Sequence, residues 1–428
     1  MDATVRVGLL GCGHVGGALA GLLSEDVDAM ASRTGIRLDL AAVAVRSITK
    51  ERTASVPAGL LTTDPVAVVN DPTIDVIVEV IGGIEPARGL ILEALKAGKP
   101  VITANKELIA NVGAELFEAA ATAGVDLLFE AAVGGGIPLI RPLRESLAGE
   151  RIQRVIGIVN GTTNYILTRM SEEGASYHDA LTDAQGLGYA ERDPTADVEG
   201  YDAAAKAAIL ASVAFGVRVV AGDVYREGIS SITPDDIAFA RRLGYVIKLL
   251  AVIERTDDDR IDVRVHPAMV PVTHPLASVR DSFNAVFIEG DAVGELMLLG
   301  RGAGGLPTAS AVLGDLLDAA HNLRARGAAR TVHWRQGSIR PIDDLESPYY
   351  VTLEVADRPG VLAAVSRVFG DHSVSIRSME QTGLGAEARL IFITHAARER
   401  DVQGCLHELR LLDVVDRVDG LIRVIGPR

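Results

Sequence analysis

The chain has 428 residues, of which 48% are hydrophobic and 23% charged, and its formal net charge is −15. This length suggests about two to four domains, and the composition is typical of a well-packed globular protein. The acidic balance argues against nucleic acid as a partner, because phosphate binding needs a basic surface.

The sequence contains no apolar run of the roughly 18 uncharged residues that a membrane-spanning helix needs. Its first residues lack the basic region, apolar core and cleavage site of a signal peptide. The two cysteines, Cys12 and Cys405, lie far apart and form no metal or redox pattern. We therefore expect a cytoplasmic protein without a membrane partner.

The first third of the chain alternates predicted strands and helices. Strands are expected at residues 5–11, Arg37–Val45, Asp75–Ile81, Pro100–Thr103 and Val125–Phe129, with helices at about 86–97 and 106–123. This alternation predicts an α/β fold with a parallel, doubly wound, Rossmann-like sheet. Ligands of such sheets bind beyond the carboxyl ends of the strands.

A glycine-rich turn, GCGHVG, joins the first predicted strand to the first helix. Gly11 permits the tight turn, Gly13 lets the backbone approach a pyrophosphate, and Gly16 lets the helix pack close to the strand. The start of the helix, with His14 and Val15, offers unpaired N–H groups to the anion. These five residues therefore predict a dinucleotide-binding site.

The residues after the second strand distinguish between two cofactors. An NAD-binding site commonly has Asp or Glu there, which holds the ribose 2′-hydroxyl. This chain instead has Arg46, with Lys50 close behind. A guanidinium group can pair with a 2′-phosphate, so NADP(H) is favoured and NAD(H) remains possible. The alternative is an ordinary surface arginine at a strand end.

The pattern changes after the glycine run at 134–136. Short strands and helices follow in an α+β order up to about residue 305, and a long helix is expected from Thr308 to about Arg324. Residues 326–347 are aperiodic and are interpreted as a linker. The last 80 or so residues read strand, helix, strand, strand, helix, strand, which predicts a small unit able to fold alone.

Two strand-end segments carry further candidate groups. Thr103-Ala104-Asn105-Lys106 faces the expected ligand crevice, where Lys106 could reach nicotinamide or a substrate oxygen. A cation is electrostatically unfavourable at a helix start, which favours a function for Lys106 over a surface position. Glu130 precedes the glycine run, and this bend is either a domain hinge or a carbonyl-lined site for a hard monovalent cation.

The stretch Ala184–Lys206 concentrates carboxylates beside glycines and runs into a predicted helix, Tyr201–Phe215. Such a segment can surround a small zwitterion and can place a lysine where a hydroxyl proton must move. The alternative is a solvated acidic loop followed by an Asp202–Lys206 pair four residues apart on a helix.

Together these segments resemble the homoserine dehydrogenase family. The resemblance is carried by residues 184–206, the GxGxxG turn, TANK at 103–106, EAAVGGGIP at 130–138, NGTTNYI at 160–166 and GRGAGGLPTASAV at 300–312. It implies an NAD(P)-dependent enzyme that interconverts L-homoserine and L-aspartate 4-semialdehyde in threonine, methionine and isoleucine biosynthesis. Because no aspartate kinase segment precedes the turn, the monofunctional form is expected.

The resemblance also implies a domain plan and residue roles. The nucleotide domain would span 1–135, completed by helix 306–325, with a substrate-binding and dimerisation domain at 136–305. Lys206 and Lys106 would be catalytic, with Lys206 exchanging the proton. The remaining implied contacts are Glu191, Asp202, Asp197 and Tyr189 with substrate; Thr103, Lys106, Gly188 and Gly302 with cofactor; and Glu130, Val133, Gly135 and Ile137 with Na⁺ or a similar cation.

The C-terminal unit, residues 348–428, contains the turn ADRPGVLA and resembles ACT domains, which are ferredoxin-like βαββαβ modules that bind amino acids. The resemblance implies L-threonine as an effector near Asp357 and Gly360. It also implies a homodimer or homotetramer. A dimerisation module without a ligand is the alternative.

Two competing functions remain. The first is a regulatory protein that binds nucleotide and amino acid without turnover, against which the intact Lys106, Glu191, Asp202 and Lys206 argue. The second is a dehydrogenase that acts on another short amino or hydroxy acid.

Overall fold

The computed structural model describes residues 3–25, 27–50, 56–325, 334–383 and 388–426. The chain divides into two compact units, each built from separate stretches. The first consists of Met1–Val155, Ala205–Val224 and Phe283–Gly337, and the second of Ile156–Ala204, Tyr225–Ser282 and Ser338–Arg428. Part of the expected linker, residues 326–333, lies outside the described residues.

The strands are, in chain order, β1 (Ala3–Leu10), β2 (Ile36–Ala44), β3 (Leu61–Thr62), β4 (Val76–Glu79), β5 (Val101–Thr103), β6 (Leu127–Leu128), β7 (Ile152–Ile158), β8 (Tyr225–Arg226), β9 (Tyr245–Arg255), β10 (Ile261–Pro271), β11 (Phe283–Gly290), β12 (Gly294–Arg301), β13 (Glu346–Ser347), β14 (Tyr349–Val355), β15 (Ile376–Thr382), β16 (Arg389–Thr394), β17 (Ala397–Arg398) and β18 (Val415–Val424).

The α-helices are α1 (His14–Glu25), α2 (Val27–Thr34), α3 (Pro65–Asn70), α4 (Ala87–Lys96), α5 (Lys106–Ala123), α6 (Gly161–Glu173), α7 (Tyr177–Gly186), α8 (Thr195–Val198), α9 (Tyr201–Phe215), α10 (Pro234–Arg242), α11 (Gly305–Ala325), α12 (Val361–Asp371) and α13 (Glu399–Leu409). Within the described ranges, none of the helices is both long and apolar enough to cross a membrane.

A six-stranded sheet forms the first unit, in the order β3-β2-β1-β4-β5-β6. Its neighbouring strands are all paired in parallel. The order is that of a doubly wound dinucleotide-binding sheet, which reverses direction beside β1. The predicted Rossmann-like α/β fold is therefore confirmed.

Helix α11 packs in the same core as this sheet, although it lies far away in sequence. Its Ala309, Val312 and Leu316 are buried in one apolar cluster with Val7 and Leu9 of β1. Parallel strands are covered on both faces, so a late helix can supply the layer that the first 135 residues leave incomplete.

The second unit contains an antiparallel pair, β9 and β10, in which Ile261 lies opposite Arg255 and Pro271 opposite Tyr245. The sequence pattern does not predict strand β9, and β10 extends beyond the short β-branched run that predicts a strand at residues 262–265. The physical reason is that β9 is buried on both faces along YVIKLLAVIER, so it has no alternating pattern. Helices α7 and α10 are likewise additional to the predicted elements.

The C-terminal module follows the predicted order β14, α12, β15, β16, α13, β18. Its sheet runs β18-β14-β16-β15, and its core joins both helices to the strands. The predicted ferredoxin-like βαββαβ unit is confirmed. Strand β18 also pairs in parallel with β10, at Ala268 opposite Arg423 and Met269 opposite Val424, so the module extends the sheet of the second unit.

Candidate functional site

The glycine turn between β1 and α1 is shaped by close backbone contacts. Gly11 has a φ of +101°, and a Cβ atom built on it would lie 2.7 Å from the Val80 carbonyl oxygen. A Cβ atom on Gly16 would lie 2.2 Å from the Gly11 oxygen, whereas one on Gly13 would meet nothing within 4 Å. Gly11 and Gly16 therefore let the turn and helix close, and Gly13 leaves space above the helix N-terminus.

A cavity of about 1330 Å³ opens at this turn, within the first unit. Gly11, Gly13, His14 and Val15 line it, whereas Gly16 is buried behind them in helix packing. The cavity is large enough for an extended nucleotide, and the unpaired N–H groups at the start of α1 face an anion-binding position. The residues present thus fit a dinucleotide cofactor.

The far wall of the cavity is basic at the end of β2. Arg46, Ser47 and Lys50 line it and are exposed to solvent. Among the described lining residues, the acidic side chain is that of Glu25. It lies at the end of α1, and not after β2, where an NAD-binding site has its Asp or Glu. A 2′-phosphate would meet cations at the position where an NAD-specific site presents an acidic side chain.

Thr103 is not among the residues that line this cavity. Its side chain is fully buried, and its hydroxyl donates to the Glu79 Oε2 atom at 2.6 Å and accepts from the Asn105 N–H at 3.0 Å. The reason is that β5 ends beside β4, so the hydroxyl faces a carboxylate of the neighbouring strand. The Thr103 hydroxyl thus holds the start of the next loop, and a contact of Thr103 with the cofactor stays a prediction.

Glu79 is a site residue that the sequence analysis missed. It is fully buried at the end of β4, and its Oε1 atom accepts from the N–H groups of Ile81 and Gly82 at 2.7 and 3.1 Å. These contacts fix the loop after β4, and Ile81 lines the cavity. The available signal was a carboxylate inside an otherwise apolar strand, because buried charges need several hydrogen bonds.

Lys106 begins α5 directly after its N-cap. The Asn105 side chain accepts from the Leu108 N–H at 3.1 Å and donates to the Gly83 oxygen at 2.6 Å. Lys106 itself has an exposed side chain, so a cation stands at a helix start whose N-cap residue contacts the loop between β4 and α4. A cation at a helix N-terminus is electrostatically unfavourable, so this placement agrees with a lysine that binds a ligand.

The Glu130 carboxylate makes hydrogen bonds with the backbone that follows the glycine run. The Glu130 carboxylate accepts from the N–H groups of Leu139, Ile140 and Arg141 at 2.5, 2.8 and 2.7 Å. The N–H of Glu130 donates to Asp315 at 2.8 Å. Burial raises the pKa of that Asp315 carboxyl to about 7. The Glu130 carboxylate thus stabilises the start of the following helical turn, and its role as a cation ligand stays a prediction.

The rest of the bend still suits a monovalent cation. In the described part of the chain, no hydrogen-bond donor is directed at the carbonyl oxygens of Val133, Gly135 and Ile137. The residues that the structure describes contain no group of three or more His, Cys, Asp or Glu side chains that could hold a metal. Neutral carbonyl oxygens are the ligands that a hard cation prefers, so the donor set fits Na⁺.

Gly302 is buried and does not line the cavity. A Cβ atom on Gly302 would lie 2.0 Å from the Asn284 amide nitrogen, and its carbonyl presses against Gly135. The cavity wall is made instead by Gly304, Gly305 and Leu306 at the start of α11. The end of β12 is closed by packing before the chain reaches this cavity, and the cofactor contact of Gly302 stays a prediction.

In the second unit, Asn160 brings two acidic side chains of the signature together. Its Nδ2 atom donates to Asp197 Oδ1 at 2.7 Å and to Asp202 Oδ2 at 2.9 Å, while its Oδ1 atom accepts from the Thr163 N–H at 2.8 Å. Asp202 is 7% exposed. Asn160 was missed as a site residue, although it opens the segment NGTTNYI that carries the family resemblance.

Three other predicted residues lie on the turn between α7 and α8. The side chains of Glu191 and Tyr189 and the residue Gly188 are exposed. The Tyr189 carbonyl accepts from the Thr162 hydroxyl at 2.7 Å, and its ring lies 5.1 Å from that of Tyr165. The turn is therefore packed against α6. The Glu191 side chain is exposed to solvent and accessible to a ligand.

Helix α9 carries both Asp202 and Lys206, one turn apart on the same face. Lys206 is 8% exposed. The boundary between the two compact units falls inside this helix. Lys106 and Lys206 belong to the first unit, and Glu191 and Asp202 to the second.

The predicted effector residues lie at the end of β14. Asp357 and Gly360 are both exposed, and Gly360 adopts a φ of +92° as the residue before α12. A Cβ atom on Gly360 would meet nothing within 4 Å, so the start of α12 is open. Such an open helix start can receive a carboxylate.

Comparisons with known proteins agree with this arrangement. The profile described as "Homoserine dehydrogenase, NAD binding domain" matches residues 11–130, "Homoserine dehydrogenase" matches 138–317, and "ACT domain" matches 349–409. The homoserine dehydrogenase of Mycobacterium tuberculosis is 50% identical over 437 residues, which cover 99% of this chain and 98% of that protein.

Solved structures give the same result. A homoserine dehydrogenase from Thiobacillus denitrificans superposes with a TM-score of 0.94 at 42% identity, covering 99% of both chains. A hyperthermophilic archaeal homoserine dehydrogenase in complex with NADPH gives a TM-score of 0.63 at 30% identity, covering 75% of this chain and 98% of that one. The chain therefore belongs to the homoserine dehydrogenase family, oxidoreductases that act on a CH–OH group with a nicotinamide cofactor.

Proposed function

We propose that this chain interconverts L-homoserine and L-aspartate 4-semialdehyde, with Lys206 exchanging the hydroxyl proton and Lys106 assisting it. The observation that carries the assignment is the Asn160 amide held between Asp197 and Asp202, one helical turn before Lys206. A bound nicotinamide ring supplies the hydride acceptor or donor. The side chains of this chain must hold the substrate and move the remaining proton.

The carboxylates serve the charged end of the substrate. Asp202 is nearly buried, and Glu191 stands exposed on the neighbouring turn, so together they can receive an α-ammonium group from two sides. Asn160 fixes the direction of Asp202 and Asp197, and Tyr189 belongs to the turn that carries Glu191. An ammonium group between carboxylates makes charge-assisted hydrogen bonds, which are about twice as strong as neutral ones.

Lys206 and Lys106 serve the reacting hydroxyl. When the alcohol is oxidised, its carbon loses a hydride and its oxygen loses a proton, which Lys206 accepts; when the aldehyde is reduced, Lys206 returns it. Lys206 is on a regular helix and nearly buried, which limits the motion of its side chain. Positioned proton transfer of this kind typically contributes about 10²–10⁴ in rate.

The preferred cofactor is NADP(H). Arg46 and Lys50 line the cavity at the end of β2, and Arg46 makes no hydrogen bond or ion pair within the described part of the chain. A guanidinium group without a protein partner can pair with both oxygens of a 2′-phosphate. The archaeal relative in complex with NADPH supports the same choice.

A monovalent cation such as Na⁺ completes the bend after Glu130. It would be held by the carbonyl oxygens of Val133, Gly135 and Ile137, while the Glu130 carboxylate orders the chain that follows. The cation has a structural role in fixing this bend beside the end of β12.

The C-terminal module binds an amino acid, and L-threonine is the proposed effector. Its carboxylate would meet the open start of α12 at Gly360, and its ammonium group would meet Asp357. Modules of this type bind their ligands where two copies meet, so we also propose a homodimer or homotetramer.

Steady-state kinetics test the proposal directly. Aspartate semialdehyde should be reduced with loss of the absorbance of NADPH. Lys206→Ala and Lys106→Ala should each lower kcat by about 10²-fold or more, with NADPH binding retained at Lys206→Ala. Lys96→Ala, an exposed lysine in the last turn of α4, is the matched control. Near-normal turnover of Lys206→Ala would remove its proton role, and binding of NADPH without any turnover in the wild type would favour the non-catalytic regulatory protein.

A further inference from the structure

Arg423 of the C-terminal module is buried between two carboxylates. Its side chain is 1% exposed on β18, and it donates to Glu399 Oε2 from Nε and Nη2 at 3.0 and 2.8 Å. Its Nη1 atom donates to Glu227 Oε1 at 2.8 Å. Burial acts to lower the pKa of Arg423, but the two carboxylates outweigh burial and raise it, so the group stays charged.

The two carboxylates belong to different parts of the second unit. Glu399 begins α13 inside the C-terminal module, and the Tyr349 hydroxyl of β14 donates to it at 2.8 Å. Glu227 directly follows β8, outside the module, and accepts from the Tyr225 hydroxyl. Burial raises the pKa of Tyr225 to about 12, so this hydroxyl remains a donor. Arg423 therefore joins the module to the segment Tyr225–Ile229, here called the relay segment.

The relay segment is packed tightly against the chain between α8 and α9. The Ile229 N–H donates to the Val198 oxygen at 2.8 Å, and a Cβ atom on Gly228 would lie 2.4 Å from that oxygen. The guanidinium carbon of Arg226 lies 3.7 Å from the centre of the Tyr201 ring, a cation–π contact. Because such contacts leave no free space, movement of the relay segment must move residues 198–201.

Residues 198–201 lie directly between Asp197 and Asp202. Both carboxylates accept from the same Asn160 amide, at 2.7 and 2.9 Å, so they share one fixed geometry. At the other end, β14 runs from Tyr349, which holds Glu399, to the turn that carries Asp357 and Gly360. The described contacts therefore form a continuous series from the effector turn to the acidic pair.

We propose that Arg423 is a positioning residue for the substrate carboxylates, which it orients through Glu227 and the relay segment. Since Arg423 is anchored to Glu399 and Tyr349 in the C-terminal module, the same contacts transmit the state of that module to Asp197 and Asp202. This inference rests on the proposed function of the acidic pair as the substrate-binding group. The coupling between the effector turn and the acidic pair is thereby assigned to the Arg423–Glu227 ion pair. This ion pair can be altered without a substitution at either of those two sites.

The test compares two conservative variants with a matched control. Glu227→Gln keeps the size of the side chain and removes the charge that pairs with Arg423, and Arg423→Lys keeps the charge and removes the forked contact. Arg417→Lys is the control, because Arg417 lies on the same strand, is largely exposed and pairs with Glu354 and Asp419, whereas Arg423 pairs with Glu227 and Glu399. Each protein is assayed at full length for homoserine-dependent reduction of NADP⁺, with and without L-threonine, and for its thermal midpoint.

We expect Glu227→Gln and Arg423→Lys to raise KM for homoserine by about fivefold or more, with KM for NADP⁺ unchanged. The concentration of L-threonine for half inhibition should rise by a similar factor. Arg417→Lys should change neither value. The double variant should be no worse than the poorer single variant, because Arg423→Lys already removes the Nη1 contact that Glu227→Gln weakens.

Variants that lose thermal stability but keep the wild-type KM for homoserine and the wild-type threonine response would overturn the inference and leave Arg423 a structural ion pair. Where the wild type does not respond to L-threonine, the comparison of KM values decides alone. Failure of the proposed function is recognised separately, because the wild-type protein would then not oxidise homoserine at all.

Discussion

The Asn160 amide is the most direct point at which to test the proposed substrate site. We consider the change Asn160→Ser. Asn160 does two things: its Oδ1 atom caps α6 by accepting from the Thr163 N–H, and its Nδ2 atom donates to Asp197 and Asp202. Serine caps a helix about as well as asparagine, so the change retains the first function and removes the second.

The magnitude follows from the two lost hydrogen bonds. A hydrogen bond to a charged group contributes about 1.5–3 kcal/mol. Asp202 is nearly buried whereas Asp197 is half-buried, so we take a combined loss near the low end, about 3 kcal/mol. If the carboxylates must be oriented to hold the substrate in the transition state, this loss corresponds to about a 150-fold fall in kcat/KM.

The assay is kcat/KM for homoserine-dependent reduction of NADP⁺, together with urea unfolding. Ser176→Ala is the control, because it removes the N-cap of α7, whose hydroxyl accepts from the Asp179 N–H at 3.2 Å. The control should lose about 1 kcal/mol of stability without a change in activity. A value of kcat/KM for Asn160→Ser within about twofold of the wild type would refute the role of the acidic pair.

Three further predictions concern the cofactor, the cavity loop and pH. Arg46→Ala should weaken NADP(H) binding by about 1–3 kcal/mol and leave NAD(H) nearly unchanged; equal loss for both in a binding titration would show that Arg46 does not contact the 2′-phosphate. Glu79→Gln should cost about 1–3 kcal/mol in urea unfolding, because three hydrogen-bond donors then face a poorer acceptor, and an unchanged midpoint would contradict this. Burial lowers the pKa of Lys248 to about 8, so the folded state binds fewer protons than the unfolded state between that value and the ordinary 10.5. The free energy of unfolding of the wild type should therefore rise with pH across this window, by up to about 3 kcal/mol relative to Lys248→Met, and parallel curves for the two proteins would refute it.

The sequence alone determined the features that depend on local pattern. The strand, glycine turn and helix at the N-terminus, the alternation that produces a parallel sheet, and the six-element C-terminal module were all predicted, since each rests on short-range periodicity and turn chemistry. The predicted bounds of α9, and the approximate bounds predicted for α5, agree with the observed ones. The signature at 184–206 indicated the family because it is long and irregular.

The tertiary structure decided which side chains meet. Asn160 contacts carboxylates 37 and 42 residues away, and the backbone of Glu130 contacts Asp315 across 185 residues. Arg423 reaches Glu227 across 196 residues. No local pattern encodes such pairs, because they depend on how distant strands and helices pack once the core has formed. For the same reason, the sequence did not show that the Thr103 hydroxyl meets Glu79 or that Gly302 packs against Asn284.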